Sequence, residues 1–247
     1  MTRPEAYILG TSPRSGSTLL CGLLTDSGVA GRPESYFHRP SLADWRDRLC
    51  LPVSADLSNV LRAAQHRGSA GTGMFGLRLQ RHSVSFLLDQ LSGLYPADTT
   101  DAGRITACFG ETKYIYLKRE DKIGQAVSLV RAQQGGLWHR NADGSERERL
   151  TAHANPVFDR SAIAAELSTL QRYDTEWEDW FDREAICPLR ITYEDLSADP
   201  IATTRQILIW LGIDPASARP FSPAVRKLAD ATSADWVAQF LGGGCDN

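Results

Sequence analysis

The chain is poor in cysteine. Its five, Cys21, Cys50, Cys108, Cys187 and Cys245, are odd in number, scattered, and without a C-x-x-C. That excludes a disulfide scaffold or a zinc site and is the usage expected in a reducing cytoplasm. Positive charge is not in excess either. With 27 Lys and Arg against 30 Asp and Glu, the net charge is −3, so no bulk basic field exists for a nucleic-acid duplex or an anionic membrane. Any anion must be captured by a local site. Long apolar runs are missing. The stretch from Ala6 to Gly10 is far below the ~20 residues of a membrane span and too short for a secretory signal. Repeats, low-complexity tracts and Pro/Gly/Ser-rich linkers are absent, which predicts a single domain over residues 1–247, cytoplasmic and without an integral membrane segment.

What is present is ordinary for a globular enzyme: 42% hydrophobic and 23% charged residues over 247 positions. A chain of this length buries roughly three quarters of its unfolded surface. Short β-rich runs alternate with helical periodicity. Strands are predicted over Ala6–Gly10, Met74–Leu79, Lys113–Leu117 and Leu189–Tyr193. Helices are predicted over Ser17–Ser27 with Gly28 as its stop, Val84–Leu94, Asp121–Gln134, Ser161–Asp182 and Pro200–Leu211. Trp177 and Trp180, at i, i+3 on the long helix, read as core. Asn141 to Ser145 reads as a turn. The alternation implies an α/β fold, a parallel sheet with helices on both faces. Ligands in such folds sit beyond the carboxyl ends of the strands.

The first strand-to-helix junction is Gly10-Thr11-Ser12-Pro13-Arg14-Ser15-Gly16-Ser17-Thr18. A tight turn converges backbone N–H groups, and the helix N-terminus adds free donors and the positive end of its dipole. Ser15, Ser17 and Thr18 add hydroxyls, and Arg14 adds a fork-shaped permanent cation. This is the chemistry of a phosphate or sulfate cradle. A Ser/Thr-rich helix cap is the plainer alternative, but capping needs neither the arginine nor the glycine. The loop departs from a Walker A motif: five residues separate Gly10 from Gly16, and Ser17 stands where the lysine belongs.

Pro13-Arg14-Ser15-Gly16-Ser17-Thr18-Leu19-Leu20 resembles the 5′-phosphosulfate loop of bacterial sulfotransferases, in particular the trehalose 2-sulfotransferase-like group. Leu117-Lys118-Arg119-Glu120-Asp121 with Gln125 to Ser128 resembles the segment whose arginine and serine hold the donor's 3′-phosphate. Thr192 to Leu196, Asp199-Pro200 and Trp210-Leu211-Gly212 are similar to a stretch shared by sulfotransferases, and Arg226–Trp236 resembles their closing segment. The resemblance implies a P-loop-like α/β fold, 3′-phosphoadenosine 5′-phosphosulfate (PAPS) as sulfuryl donor and 3′-phosphoadenosine 5′-phosphate as product; no metal is expected, because Arg14 and backbone donors stand where a kinase uses lysine and magnesium. The resemblance also implies a carbohydrate or glycolipid acceptor and a homodimer. Arg14, Ser15, Gly16, Ser17, Thr18, Arg119 and Ser128 would hold the donor. Arg119, within a Lys-Arg-Glu-Asp-Lys cluster, has a solvated surface charge as its alternative reading.

The resemblance breaks at the general base. Where the group carries a glutamate, in Arg32-Pro33-Glu34-Ser35-Tyr36-Phe37-His38, this chain has Ser35. His38 is the expected replacement, since an imidazole titrates near neutrality. Glu34 is the second candidate, although an extended backbone turns it to the face opposite Ser35. Both also read as ordinary loop side chains. Arg78 is expected to neutralise the transferring group or bind acceptor, unless it is a salt-bridged structural arginine. His82 is a third base candidate. Trp138-His139-Arg140, after Gly135 and Gly136, is expected to reach donor or acceptor, with Trp138 equally placed to be a packing anchor. Two other functions compete: a small-molecule kinase with an aberrant P-loop, which would need magnesium, and a non-catalytic nucleotide-binding relative that has lost its base.

Overall fold

A computed structural model describes residues 4–97, 100–141, 143, 145–223, 225–226 and 231–242. In chain order the elements are β1 Ala6–Thr11, α1 Ser17–Asp26, α2 Leu42–Arg48, α3 Leu57–Ser69, β2 Phe75–Gln80, α4 Arg81–Leu94 and α5 Asp101–Phe109. Then come β3 Thr112–Lys118, α6 Lys122–Gly135, β4 Leu137–Asn141, β5 Glu146–Arg149 and α7 Arg160–Arg183. The chain continues with β6 Leu189–Thr192, α8 Tyr193–Ala198, α9 Pro200–Trp210, β7 Val225–Arg226 and α10 Ala231–Gly242. Strands β2-β1-β3-β6 form a parallel sheet in that order. The expected α/β fold with a parallel sheet and helices on both faces is what the chain forms.

The strand pattern explains why both faces are covered. Successive side chains of a strand point to opposite faces. In β1, Ala6 and Ile8 enter a core with α3, α4, α5 and the Trp177, Trp180 and Phe181 end of α7. Tyr7 and Leu9 enter a second core with α1, α8 and α9. Buried on both sides, β1 reads as a continuous apolar run rather than an alternating one. Trp177 and Trp180 are core residues, as their spacing predicts.

The predicted strands and the five predicted helices are all present, with ends shifted by a few residues. Side chains supply the caps: Asp121 accepts from the Gly124 N–H, Asp159 from Ala162 and Asp199 from Ala202. Helix α1 ends at Ser27, and Gly28 follows at φ 70°. The helices α2, α3, α5, α8 and α10 were not read from the sequence. Neither was the antiparallel sheet β5-β4-β7, whose hairpin brackets the predicted 141–145 turn. These strands are polar and short, and their register is irregular, so the period-two signal is weak. Ala142 and Gly144 of that turn, residues 227–230 of the predicted closing segment, and Cys245 lie outside the described residues.

Candidate active site

The β1–α1 loop sits at the carboxyl ends of the two central strands, and its shape is enforced from three directions. Within the loop, Thr11 Oγ1 lies 2.5 Å from Ser15 Oγ, and Ser15 Oγ donates to the Ser12 carbonyl at 2.9 Å. Beneath it, Thr11 Oγ1 donates to the Leu117 carbonyl of β3, and Trp177 Nε1 donates to the Thr11 carbonyl. From α6, the buried Gln125 amide reaches Ser12 Oγ at 3.1 Å and the Pro13 carbonyl at 2.6 Å. Gly16 then turns into α1 at φ 84°, where a Cβ would meet the Tyr193 ring at 2.6 Å. Only glycine serves both needs. Arg14 also stands at positive φ, 63°, a conformation that costs a non-glycine residue of order 1–3 kcal/mol and clusters at functional sites.

Beyond this loop opens a cavity of about 640 Å³, within the roughly 300–1,000 Å³ of sites that bury a small ligand. It gathers Arg14, Gly16, Ser17, Thr18, Arg119 and Ser128 on one wall, with an apolar wall from α10 opposite. Six of the seven predicted donor residues therefore face one space. Ser15 does not: its hydroxyl is spent inside the loop, so its part is to hold the turn.

The cations differ from expectation in their partners. Arg14 donates from Nε to Ser128 Oγ at 3.0 Å and from Nη1 to the Trp138 carbonyl at 2.6 Å. Ser128 thus belongs with Arg14 rather than with Arg119. Among the described residues Arg14 has no carboxylate partner, and desolvation with the nearby Arg119 lowers its pKa to about 10. Arg119 is no solvated surface charge: it lies over the Tyr193 ring at 4.8 Å, pairs with Asp121 at 2.8 Å, and keeps a buried, partnerless Nε. Its turn is pinned by Glu194, whose carboxylate accepts from the Glu120 and Asp121 N–H groups. Two guanidiniums facing one cavity repel each other, and a polyanion bound between them relieves that repulsion.

Arg78 is not salt-bridged among the described residues. Its Nε donates to Ser35 Oγ at 2.8 Å and its Nη1 to Thr18 Oγ1 at 3.0 Å. The two base candidates lie elsewhere. Glu34 pairs with the β2 strand, its carbonyl accepting from the Arg78 N–H, while its half-exposed carboxylate turns outward to Arg32 at 2.6 Å and Arg67 at 3.9 Å. Extended backbone puts residues 34 and 35 on opposite faces, so Ser35 faces the site and Glu34 does not. The His38 ring packs edge-on against His82 at 5.0 Å and does not line the cavity. Burial and the neighbouring His82 and arginines push its pKa down to about 4.

Trp138 is also corrected. Its ring packs against the small core between α6, α7 and α10, and only its carbonyl reaches Arg14. The side chain that enters the cavity is the next one, His139, whose Nε2 lies 3.1 Å from Thr18 Oγ1. Gln125 and Tyr193 are site residues to which the sequence reading assigns no role, and His139 is expected there only as part of the Trp138-His139-Arg140 stretch. For His139 the available signal was strand alternation: if Trp138 packs inward, its neighbour points the other way.

A parallel sheet with helices on both faces, whose first loop opens a helix N-terminus onto a cavity at the carboxyl ends of the strands, defines a protein of the α/β class. Its sequence places it further. Residues 6–242 match the model of the Stf0 sulphotransferase family, and the chain belongs to that family: it is a sulfotransferase. The trehalose 2-sulfotransferase of Mycolicibacterium smegmatis is 28% identical, covering 96% of this chain and 94% of that protein. The trehalose 2-sulfotransferase of Mycobacterium tuberculosis is 28% identical over 95% and 93%. Among solved structures, a sulfotransferase from Alicyclobacillus acidocaldarius overlays with a TM-score of 0.46 at 16% identity, covering 98% of this chain and 93% of that one. The family assignment rests on the sequence match.

Proposed function

We propose that this sulfotransferase takes its sulfuryl group from PAPS and delivers it to a hydroxyl of a carbohydrate or glycolipid acceptor. The observation that carries this reading is that Arg14 and Arg119 line one cavity together, beside the Gly16–Thr18 helix start. A donor with a phosphosulfate at one end and a 3′-phosphate at the other meets each with a guanidinium and a hydroxyl or N–H donor. The loop and Arg14 take the phosphosulfate end, and Arg119 takes the 3′-phosphate. Ser128, bonded to Arg14, adds its hydroxyl to the same wall. Arg78, hydrogen-bonded to Thr18, is placed to meet the charge that develops on the sulfuryl group and its leaving oxygen. The carbohydrate acceptor is supported by the curated relatives, whose names give trehalose.

The test is incubation of the purified protein with PAPS labelled in its sulfuryl group, trehalose and glycan or glycolipid extracts, with and without a chelator. Label should move to a sugar hydroxyl at the same rate in both. Phosphate transfer from ATP with a strict magnesium requirement overturns the reading in favour of a kinase. Tight bisphosphate binding without turnover of PAPS identifies a non-catalytic relative.

A further inference from the structure

We propose that His139 takes the proton from the acceptor hydroxyl, with Glu148 beside it to meet the positive charge that results. This rests on the sulfuryl-transfer reading above and names the residue that reading leaves open.

The argument begins with elimination. The side chains lining the cavity that can hold or release a proton are Arg14, Arg119, Asp121, Tyr193 and His139. The arginines stay charged, and burial raises the Tyr193 phenol. Asp121 caps α6 through Oδ1 and pairs with Arg119 through Oδ2, so each of its oxygens is already engaged. His139 remains. Outside the cavity, Glu34 faces Arg32 and Arg67, and Ser35 offers a hydroxyl held by Arg78.

Position then supports it. Ser35, Arg78, Thr18 and His139 form one hydrogen-bonded string: Arg78 joins Ser35 Oγ to Thr18 Oγ1, and Thr18 Oγ1 meets His139 Nε2 at 3.1 Å. Thr18 stands in the first turn of α1, so the imidazole lies one hydroxyl away from the loop proposed to hold the donor's phosphosulfate. The strand that carries it is anchored at the same place, because the preceding carbonyl, Trp138, accepts from Arg14. Cross-strand to His139 stands Glu148, with Oε2 3.4 Å from Nε2. Glu148 approaches the same nitrogen that meets Thr18, so it does not orient the ring from behind; it stands where an Nε2 proton arrives and offsets the charge of the imidazolium.

The charged groups facing the ring are Arg14 from the loop, Arg78 from β2, and Arg147 and Glu148 from β5. Desolvation and the three guanidiniums hold the free imidazole neutral, with its pKa pushed down to about 3. An anionic donor lying between Arg14 and Arg78 offsets that repulsion and raises the basicity of the ring. The base is therefore strongest when donor is loaded. In the step itself, the acceptor oxygen forms a bond to sulfur as its proton passes to Nε2. The bond from sulfur to the bridging phosphate oxygen breaks, and the electron pair leaves with 3′-phosphoadenosine 5′-phosphate. The imidazolium is left beside Glu148 and returns its proton to water.

Two measurements test this. The first is an NMR titration of the ring in the wild-type protein, its resonance assigned by loss in His139→Gln, with and without 3′-phosphoadenosine 5′-phosphate. The ring should stay neutral well below pH 6 in the free protein, and its pKa should rise by at least one unit with the bisphosphate. An identical titration in both states overturns the proposal. The second is kinetics. His139→Gln should lower kcat by about 10²- to 10⁴-fold with bisphosphate affinity nearly unchanged, and added imidazole should partly restore His139→Gly. If His139→Gln loses bisphosphate affinity in proportion to rate, the ring positions Thr18 and is not the base. A wild-type protein that transfers nothing from PAPS overturns the proposed function and this inference with it. A wild type that turns over, with His139→Gln equally fast, overturns this inference alone.

Discussion

The β1–α1 loop and the segment from Arg32 to His38 both border the site, and they are built in opposite ways. The loop is held from within by Thr11, Ser12 and Ser15, from below by β3 and α7, and from the side by Gln125 of α6. Its candidate anion-binding groups, Arg14 to Thr18, lie within a few residues of one another, although most of the contacts that hold them come from distant elements. The Arg32–His38 segment has a single backbone attachment to β2, at Glu34, and hands its side chains out in several directions. Glu34 goes to surface arginines, Ser35 to Arg78, Tyr36 and Phe37 to the core, and His38 to His82. A compact loop carries its chemistry in its own spacing. An extended segment distributes its residues according to what it packs against.

The largest effect that would break this comparison concerns Arg14. Arg14→Ala removes a half-buried cation bonded to Ser128 and Trp138, so binding of 3′-phosphoadenosine 5′-phosphate should weaken by about 1.5–3 kcal/mol, or roughly 10- to 150-fold. Calorimetry reads this directly. Arg119→Ala sharpens the result: it should penalise 3′-phosphorylated ligands and hardly affect adenosine 5′-phosphosulfate. Equal weakening of both ligands would show that the two ends are assigned wrongly.

Next is Gly16→Ala. A side chain at φ 84° and within 2.6 Å of the Tyr193 ring should cost about 1–3 kcal/mol in urea denaturation. It should also weaken bisphosphate binding, because the helix start shifts. A variant of normal stability would mean that the loop is less constrained than its contacts indicate.

A smaller effect belongs to the other region. The His38 imidazole is held at about 4 in the folded protein, below the ~6.5 of an exposed histidine. A depressed pKa means that the unfolded chain takes up the proton first. The associated stability is therefore complete above pH 6.5 and is lost as pH falls toward 4. Tm should drop between pH 7 and pH 5, by an amount equivalent to about 1 kcal/mol after solvent screening, and the drop should shrink in His38→Gln.

The smallest expected effect is on turnover in that same segment. His38→Ala and Glu34→Gln, assayed at pH 7.5, should each keep kcat within a few-fold of wild type, since neither side chain enters the cavity. If either abolished turnover while bisphosphate still bound, that side chain would be the base, and the extended segment would carry chemistry as densely as the loop.

The sequence by itself determined the parallel sheet, the long helices and the anion loop. Each depends on neighbours close along the chain: the apolar run of β1 and the Arg14–Thr18 spacing at a helix start. Alternation was local enough to say that Glu34 and Ser35 face opposite ways. What only the tertiary structure decided is which groups from distant elements share the cavity. Gln125 grips a loop more than a hundred residues earlier, Ser128 pairs with Arg14 instead of Arg119, and Trp138 turns inward so that His139 enters the site. Such juxtapositions follow from how helices pack on a sheet and how an irregular hairpin lies over it. No period within one segment encodes the partner that another segment brings.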